Sequence, residues 1–211
     1  MKFTSSKVID IGSAAFRQWR STHSHCQYIH GYRLKATITF ECDKLDDKNW
    51  VMDFGGLKDL KATLRNTFDH KLVVAGDDPE IETLKQLDSA GLAQVVILHS
   101  GVGCERFAQY VLKTADTYVD EVTDGRVRVY SVQINEHENN YATCYRSSSI
   151  DLQVSISDTE ATTVAQLEDI HGSIAIDTPT ESPASNNTAA PVGKTQGTKT
   201  KGGWFDGTTW G

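Results

Sequence analysis

The stretch "CQYIHGYRLKATITFEC", residues 26–42, opens with a cysteine and a histidine and continues as a β-strand. From Tyr32 to Cys42 every even position is apolar or small, and the odd positions carry Arg, Lys, Thr or Glu. This period of two residues is typical of a strand that buries one face. The preceding segment "FTSSKVIDIGSAAFRQW", residues 3–19, is rich in β-branched and aromatic residues. We expect it to pair with the strand in antiparallel fashion.

Beyond this pair, the chain predicts two helices and two more strands. Apolar residues recur at helical spacing at Leu57, Leu60, Leu64 and Phe68. A second helix is expected at about 102–119, with the short apolar run "VVIL" at 95–98 before it. Strands are expected at 126–134 and around 141–145. The order β-β-α-α-β-β predicts an α+β domain with antiparallel strands and helices on one face.

Composition limits the classes of function. The 211 residues are enough for one core domain with appendages, and the net charge of -7 argues against direct nucleic-acid binding. The four cysteines are scattered without a C-x-x-C pair, and the chain opens without an apolar signal segment. We therefore expect free thiols and a cytoplasmic location. No window is apolar enough for a membrane-spanning helix, so a membrane partner is not expected.

The C-terminal third differs in character from the rest. We expect the core domain to cover residues 1–147 and an extension to cover 148–176, where "IDLQVSISD" is able to add one strand. Residues 177–201 are rich in Pro, Thr, Ser, Asn and Gly and predict a disordered linker. Residues 202–211, "GGWFDGTTWG", form an aromatic peptide that either docks on a protein partner or folds back on its own domain.

Two short segments carry groups suited to catalysis. His23, His25, Cys26 and His30 form either a zinc-binding cluster or a solvated loop. The "FDH" segment sets Asp69 beside His70, where the carboxylate either prepares the imidazole for acid-base work or only caps a helix. If the pair is catalytic, Cys26 is the thiol that it would activate.

Glu136 and Glu138 follow an apolar strand at the start of a turn. A carboxylate there is able to accept two hydrogen bonds from the N3–H and 2-amino groups of a pterin or guanine. Each is otherwise a solvated turn residue.

Taken in order, five segments resemble the 6-pyruvoyltetrahydropterin synthase / 6-carboxytetrahydropterin synthase family. They are "SAAF", "CQYIHGY", "WVMDFGGLK", "FDH" and "INEHENNYATCY", and the likeness runs from about residue 2 to residue 145. The three-residue gap between Cys26 and His30 looks more like the carboxytetrahydropterin branch, which belongs to the queuosine pathway.

The resemblance implies a tunnelling fold (T-fold), in which a four-stranded antiparallel sheet carries two helices on one face. Subunits of this fold join into a barrel-forming trimer, and two trimers stack as a hexamer. Cys26 would be the proton-transferring thiol, with Asp69 and His70 of a neighbouring subunit as its relay. Glu136, with Glu105, would bind the pterin.

The resemblance also implies a Zn²⁺ ion, but two of its three ligand positions are altered. Family members bind the metal through a histidine after S-A-A and both histidines of H-G-H; here these positions are Phe16, His30 and Tyr32. Either His23 or His25 joins His30 to rebuild the site, or the protein works without zinc or has lost the reaction. The two replacements resemble those of family members from bacteriophages.

The leading hypothesis is a lyase that converts 7,8-dihydroneopterin triphosphate in 7-deazaguanine biosynthesis. The rival is an altered T-fold homologue that serves as an oligomeric binding protein and presents its C-terminal arms to a partner.

Overall fold

The structure is a computed structural model that describes residues 1–147 and the backbone of 161–163. The strand expected within "IDLQVSISD", the linker at 177–201 and the aromatic peptide at 202–211 lie outside the described residues. Within the described part of the chain, no helix is long and apolar enough to cross a membrane.

The described chain contains seven strands and three α-helices. The strands are β1 Phe3–Phe16, β2 His30–Cys42, β3 Lys71–Ala75, β4 Gln94–Leu98, β5 Arg128–Asn135, β6 Tyr141–Tyr145 and β7 Ala161–Thr163. The helices are α1 Lys58–Phe68, α2 Ile81–Ser89 and α3 Cys104–Val122.

The described strands form one sheet in the order β6-β5-β2-β1-β3-β4-β7. Its first four strands, β6, β5, β2 and β1, pair antiparallel with one another, as the sequence predicts. Helices α1 and α3 are the two helices expected at helical spacing. The α+β class is therefore confirmed.

The sheet extends beyond the predicted four strands through a β3-α2-β4 unit. Strand β3 runs parallel to β1, β4 runs parallel to β3, and β7 closes the series antiparallel to β4. Parallel neighbours need a crossover connection, and α2 supplies it. The sequence predicted only four strands and two helices. It missed β3 and β4 because "KLVVA" and "QVVIL" are short apolar runs that lack the alternation of polar and apolar residues expected of a strand with one buried face.

The core lies on both sides of this sheet. The even positions of β2, Leu34, Ala36, Ile38 and Phe40, are fully buried and pack in one cluster with the apolar stripes of α1 and α3. Residues of β3 and β4 alternate between this cluster and a second one around Leu84 of α2. Helix α2 therefore covers the opposite face from α1 and α3, and β3 and β4 are apolar after their first residues, Lys71 and Gln94, because both of their faces are buried.

An ion pair joins the chain just after β1 to the turn after β3. The Arg17 guanidinium donates two hydrogen bonds to the Asp78 carboxylate, at 2.8 Å and 2.6 Å, and the Asp78 side chain is only 1% exposed. Burial raises the pKa of Asp78, but the hydrogen bonds from Arg17 and the Glu80 N–H outweigh it and hold the pKa below its ordinary value.

We predict that Asp78→Asn lowers the free energy of unfolding by about 2 kcal/mol near neutral pH, since Arg17 loses a charged partner. Because the folded-state pKa lies below the ordinary value of 3.8, this stabilisation is present above pH 3.8 and is lost as the pH falls through the folded pKa. Denaturant titrations at decreasing pH should show the gap between the wild type and the variant closing in acid.

Asp77→Asn is the matched control. Asp77 pairs with Arg20 at 2.5 Å, but both side chains are at least half exposed, so its loss should cost less than about 1 kcal/mol. If the difference in unfolding free energy between the wild type and Asp78→Asn does not change with pH, the stabilisation does not come from the Asp78 carboxylate.

Candidate active site

Three aromatic rings meet where β1 ends and β2 begins. Phe16 pairs with His30 in the β1–β2 register, and Ala14 pairs with Tyr32. The ring centroids lie 4.8 Å apart for Phe16 and His30, 5.5 Å for His30 and Tyr32, and 6.2 Å for Phe16 and Tyr32. Residues 30 and 32 share a face because strand side chains alternate. We call Phe16, His30 and Tyr32 the ring cluster.

The protonation of His30 follows from one contact. Its Nδ1 lies 2.8 Å from the Tyr28 carbonyl oxygen. A carbonyl oxygen only accepts hydrogen bonds, so Nδ1 carries the proton and donates it. In the neutral imidazole, Nε2 is then left as an acceptor or a metal ligand.

The ring cluster stands at the three positions where the sequence resemblance expects zinc ligands, and its side chains do not fit zinc. Phe16 has no donor atom and is fully buried. Burial raises the pKa of Tyr32, and the Coulomb interaction with Glu136, followed by smaller ones with Cys26 and Cys104, raises it further, so the phenol keeps its proton. Only His30 is a ligand of the usual kind, whereas a catalytic zinc takes three protein ligands.

The histidines of the preceding loop do not replace the missing ligands in this conformation. His23 and His25 are both exposed. Among residues 1–147 and 161–163, no three His, Cys, Asp or Glu side chains form a group able to hold a metal ion.

Cys26 lies beside the ring cluster on a short turn, His25–Gln27. Ser24 caps this turn by accepting a hydrogen bond from the Cys26 N–H at 3.2 Å. The Cys26 carbonyl accepts a second hydrogen bond from the Gln18 N–H at 2.8 Å. The half-buried thiol is thus held at a defined place and interacts electrostatically with Tyr32.

Glu136 reaches the same place from the end of β5. Its N–H donates to the Asn140 carbonyl at 3.2 Å and closes the turn between β5 and β6. The half-buried carboxylate lies against the Cys104 thiol and acts electrostatically on Tyr32. Glu138, the alternative in the same turn, is exposed.

Cys104 is the member of this site that sequence reasoning missed. It is the first residue of α3 and is buried. Burial raises the pKa of its thiol, and Glu136 raises it further by its charge and by a hydrogen bond. The thiol therefore stays protonated and donates to Glu136.

Glu105, the next residue, is exposed on the first turn of α3 and also acts electrostatically on Cys104. The only signal for Cys104 in the sequence was its place beside Glu105.

Asp69 and His70 form the expected pair. The Asp69 Oδ1 lies 3.0 Å from the His70 Nδ1 and accepts a hydrogen bond from the Ser13 N–H at 3.1 Å, and Arg65 pairs with the other oxygen. Burial raises the pKa of Asp69, but the Ser13 N–H and the charges of Arg65 and His70 outweigh it and keep the pKa low. The carboxylate therefore orients the imidazole and leaves its Nε2 free.

This pair lies apart from Cys26 within one chain. His70 is 86% exposed and lines a 440 Å³ cavity together with Tyr32, Ala15 and Leu72. None of the contacts described for Asp69 or His70 within residues 1–147 involves Cys26 or Glu136.

Cavity volume alone does not mark this site. The roomiest cavity described, 540 Å³, is lined by Phe3–Ser5 and by the Asn49–Gly55 segment. It contains neither a histidine nor a cysteine, and its only acidic residue, Asp53, caps the turn before α1.

Solved structures share this fold. An uncharacterized protein from Wolinella succinogenes superposes with a TM-score of 0.60 at 19% identity, over 70% of this chain and 99% of that one. A 6-pyruvoyl tetrahydropterin synthase from Plasmodium falciparum superposes with a TM-score of 0.50 at 14% identity, over 69% of this chain and 98% of that one. The structure is therefore a T-fold, as the resemblance implied.

Residues 11–147 match the sequence profile of the family described as 6-pyruvoyl tetrahydropterin synthase. The match covers more than half of the chain and includes Cys26, Asp69, His70 and Glu136. The chain belongs to this family.

Curated relatives carry the name 6-carboxy-5,6,7,8-tetrahydropterin synthase. The Rickettsia bellii protein is 42% identical over 57 residues, which are 26% of this chain and 41% of that protein. The Rickettsia conorii protein is 30% identical over 87 residues, 41% of this chain and 62% of that protein. The Helicobacter pylori (strain J99) protein is 26% identical over 120 residues, 55% of this chain and 59% of that protein. Each match spans less than two thirds of the relative, and these bacterial sources lend no support to a bacteriophage origin.

The Asp69–His70 pair depends on a glycine in β1. The β1–β2 register shifts between Asp10 and Gly12, and Gly12 has a φ of +100°. A Cβ at this position would lie 2.2 Å from the Asp69 Oδ1. Gly12 therefore supplies both the backbone conformation and the space that the Asp69 carboxylate needs.

We predict that Gly12→Ala displaces Asp69 and destabilises the protein more than Gly101→Ala does. Gly101 has the same φ of +100°, but a Cβ there would meet only the Arg106 side chain at 3.6 Å, an ordinary contact. Strain from a positive φ costs each variant about 1–2 kcal/mol, so the difference between their unfolding midpoints isolates the clash with Asp69. Equal losses would contradict this role of Gly12.

Proposed function

We propose that the chain is a lyase of the 6-carboxy-5,6,7,8-tetrahydropterin synthase type that acts on 7,8-dihydroneopterin triphosphate in 7-deazaguanine biosynthesis. One observation carries the proposal: Glu136 and Cys26, 110 positions apart in the sequence, both interact electrostatically with Tyr32, and the ring of His137, next to Glu136, lies 6.1 Å from the Tyr32 ring. The names of the curated relatives support the same reaction.

Glu136 is the anchor for the pterin ring. An ionised carboxylate accepts the paired hydrogen bonds of the N3–H and 2-amino groups. The Cys104 thiol already donates to this carboxylate, which orients it without neutralising it. Glu105 lies next to Cys104 on α3, where its carboxylate is available to the same substrate.

Cys26 and His70 move the protons. The net reaction consumes water and yields 6-carboxytetrahydropterin, acetaldehyde and triphosphate, so protons must be removed from and returned to the side chain. Cys26 is held beside the ring cluster by its capped turn. His70, whose Nδ1 is held by Asp69, presents Nε2 as the base or acid.

The two groups meet when a second copy of the chain supplies His70. The imidazole is 86% exposed, and none of the contacts described for Asp69 or His70 within residues 1–147 reaches Cys26 or Glu136. We propose that the protein is a homo-oligomer, a trimer or hexamer, whose sites lie between copies. Cys26 and Glu136 then come from one copy, and Asp69 and His70 come from its neighbour.

A second function is favoured by the ring cluster, which replaces ligands expected for the family. Without turnover, the same oligomer would serve as a pterin-binding or scaffold protein. Deleting the residues after Ser182 separates the two functions, since a lyase keeps its activity and a scaffold loses its partner.

We predict that Cys26→Ala and His70→Ala each lower kcat by about 10² or more, measured as acetaldehyde released from 7,8-dihydroneopterin triphosphate. Mixing the two variants under conditions that exchange subunits should restore activity to about a quarter of the wild-type level. That share follows because one site in four then combines an intact Cys26 with an intact His70 from the neighbouring copy.

A mixture of Cys26→Ala with Glu136→Ala is the matched control, because both lesions lie in the same half of the site. Every site then retains one lesion, and no activity should return. Recovery in this control, or its absence in the first mixture, would overturn the shared site. Failure of the wild type to release acetaldehyde, with or without added zinc, would overturn the lyase.

A further inference from the structure

The ring cluster is part of the protein core at one end. Phe16 is fully buried and meets the Phe107 ring edge-on at 5.0 Å. Phe107 meets Phe68 at 5.2 Å, and Phe68 meets Tyr110 at 5.8 Å. Position 16 thus anchors a series of aromatic contacts that runs from the candidate site into α1 and α3. Such contacts add about 0.5–1.5 kcal/mol each beyond simple burial.

At its other end the ring cluster faces the groups proposed to hold the substrate. Tyr32 is half-buried, with its ring 5.5 Å from His30 and 6.1 Å from His137, the residue after Glu136. Its hydroxyl lies within the electrostatic reach of Glu136, Cys26 and Cys104. Of the ring cluster, Tyr32 alone carries a hydroxyl, and it stands among the groups that surround the proposed ligand.

The two polar members of the cluster have complementary hydrogen-bonding roles. The Tyr32 phenol has a proton to donate, and the His30 Nε2 is left as an acceptor because Nδ1 donates to the Tyr28 carbonyl. A pterin side chain that carries hydroxyl groups and passes through a carbonyl form needs both a donor and an acceptor. A metal ion would contact the same oxygens as a Lewis acid.

We propose that the Tyr32 hydroxyl, paired with the His30 Nε2, binds the side-chain oxygens of the substrate in a site that works without zinc. This inference rests on the proposed pterin lyase function and adds a catalytic residue to it. The phenol donates a hydrogen bond to the side-chain oxygen and stabilises the negative charge that develops there. No covalent bond to Tyr32 forms, and the proton transfers remain with Cys26 and His70.

The experiment uses the full chain and four measurements: zinc content, acetaldehyde release, substrate affinity and circular dichroism. After incubation with zinc and gel filtration, the wild type should carry far less than one ion per chain, and a chelator should leave its activity unchanged. Tyr32→Phe should lower kcat by about 10² and weaken substrate binding by about fivefold. Tyr130→Phe, which removes the hydroxyl of a partly exposed tyrosine on β5, is the matched control and should change neither quantity.

The variant F16H/Y32H tests the donor set directly. Restoring both imidazoles should raise the zinc content to about one ion per chain. If the buried position 16 does not tolerate histidine, circular dichroism will show the loss of fold, and Tyr32→Phe with the zinc content of the wild type still decides the inference.

The outcomes separate the inference from the proposed function. About one zinc per wild-type chain, or activity abolished by the chelator, overturns the inference while the lyase stands. Acetaldehyde released without zinc, with Tyr32→Phe impaired and Tyr130→Phe normal, supports it. If no acetaldehyde is released under any condition, the lyase function is overturned, and substrate affinity decides the inference. Equal affinities of the wild type and Tyr32→Phe then overturn it. Weaker binding by Tyr32→Phe, with Tyr130→Phe unchanged, supports it.

Discussion

The register between β1 and β2 is the constraint on which the rest of the structure depends. It sets Phe16 opposite His30 and Ala14 opposite Tyr32, and it buries the even positions of β2 against α1 and α3. A slip by one residue would move each of these side chains to the other face of the sheet. The hydrophobic core and the ring cluster are therefore products of the same pairing, and neither is free to change without the other.

Most of the fold could be predicted because most elements bury one face. Alternation in β2 and the helical stripes of α1 and α3 leave a periodic trace in the sequence. Strands β3 and β4 leave none, because both of their faces are covered, and α2 is a short helix with one buried residue, Leu84. The β3-α2-β4 unit was therefore missed because its strands are buried on both faces.

The residues of the candidate site also differ in how far the sequence reveals them. The motifs predict Cys26 and Glu136 as site residues, and both interact electrostatically with Tyr32. Cys104 could not be foreseen, because a single buried thiol has no spacing pattern, and only the folded chain sets it against Glu136. Asp69 and His70 lie together, with Oδ1 and Nδ1 3.0 Å apart, but no contact described within one chain joins them to Cys26. Roles for all of these residues, and the question of zinc, remain predictions.

The short stretch of β1 at residues 12–16 supports two groups of side chains. Gly12 and Ser13 hold the Asp69–His70 pair at its start, and Phe16 fixes the ring cluster at its end. One pentapeptide thus carries the backbone for both groups, so a rigid-body shift of this strand would displace them together.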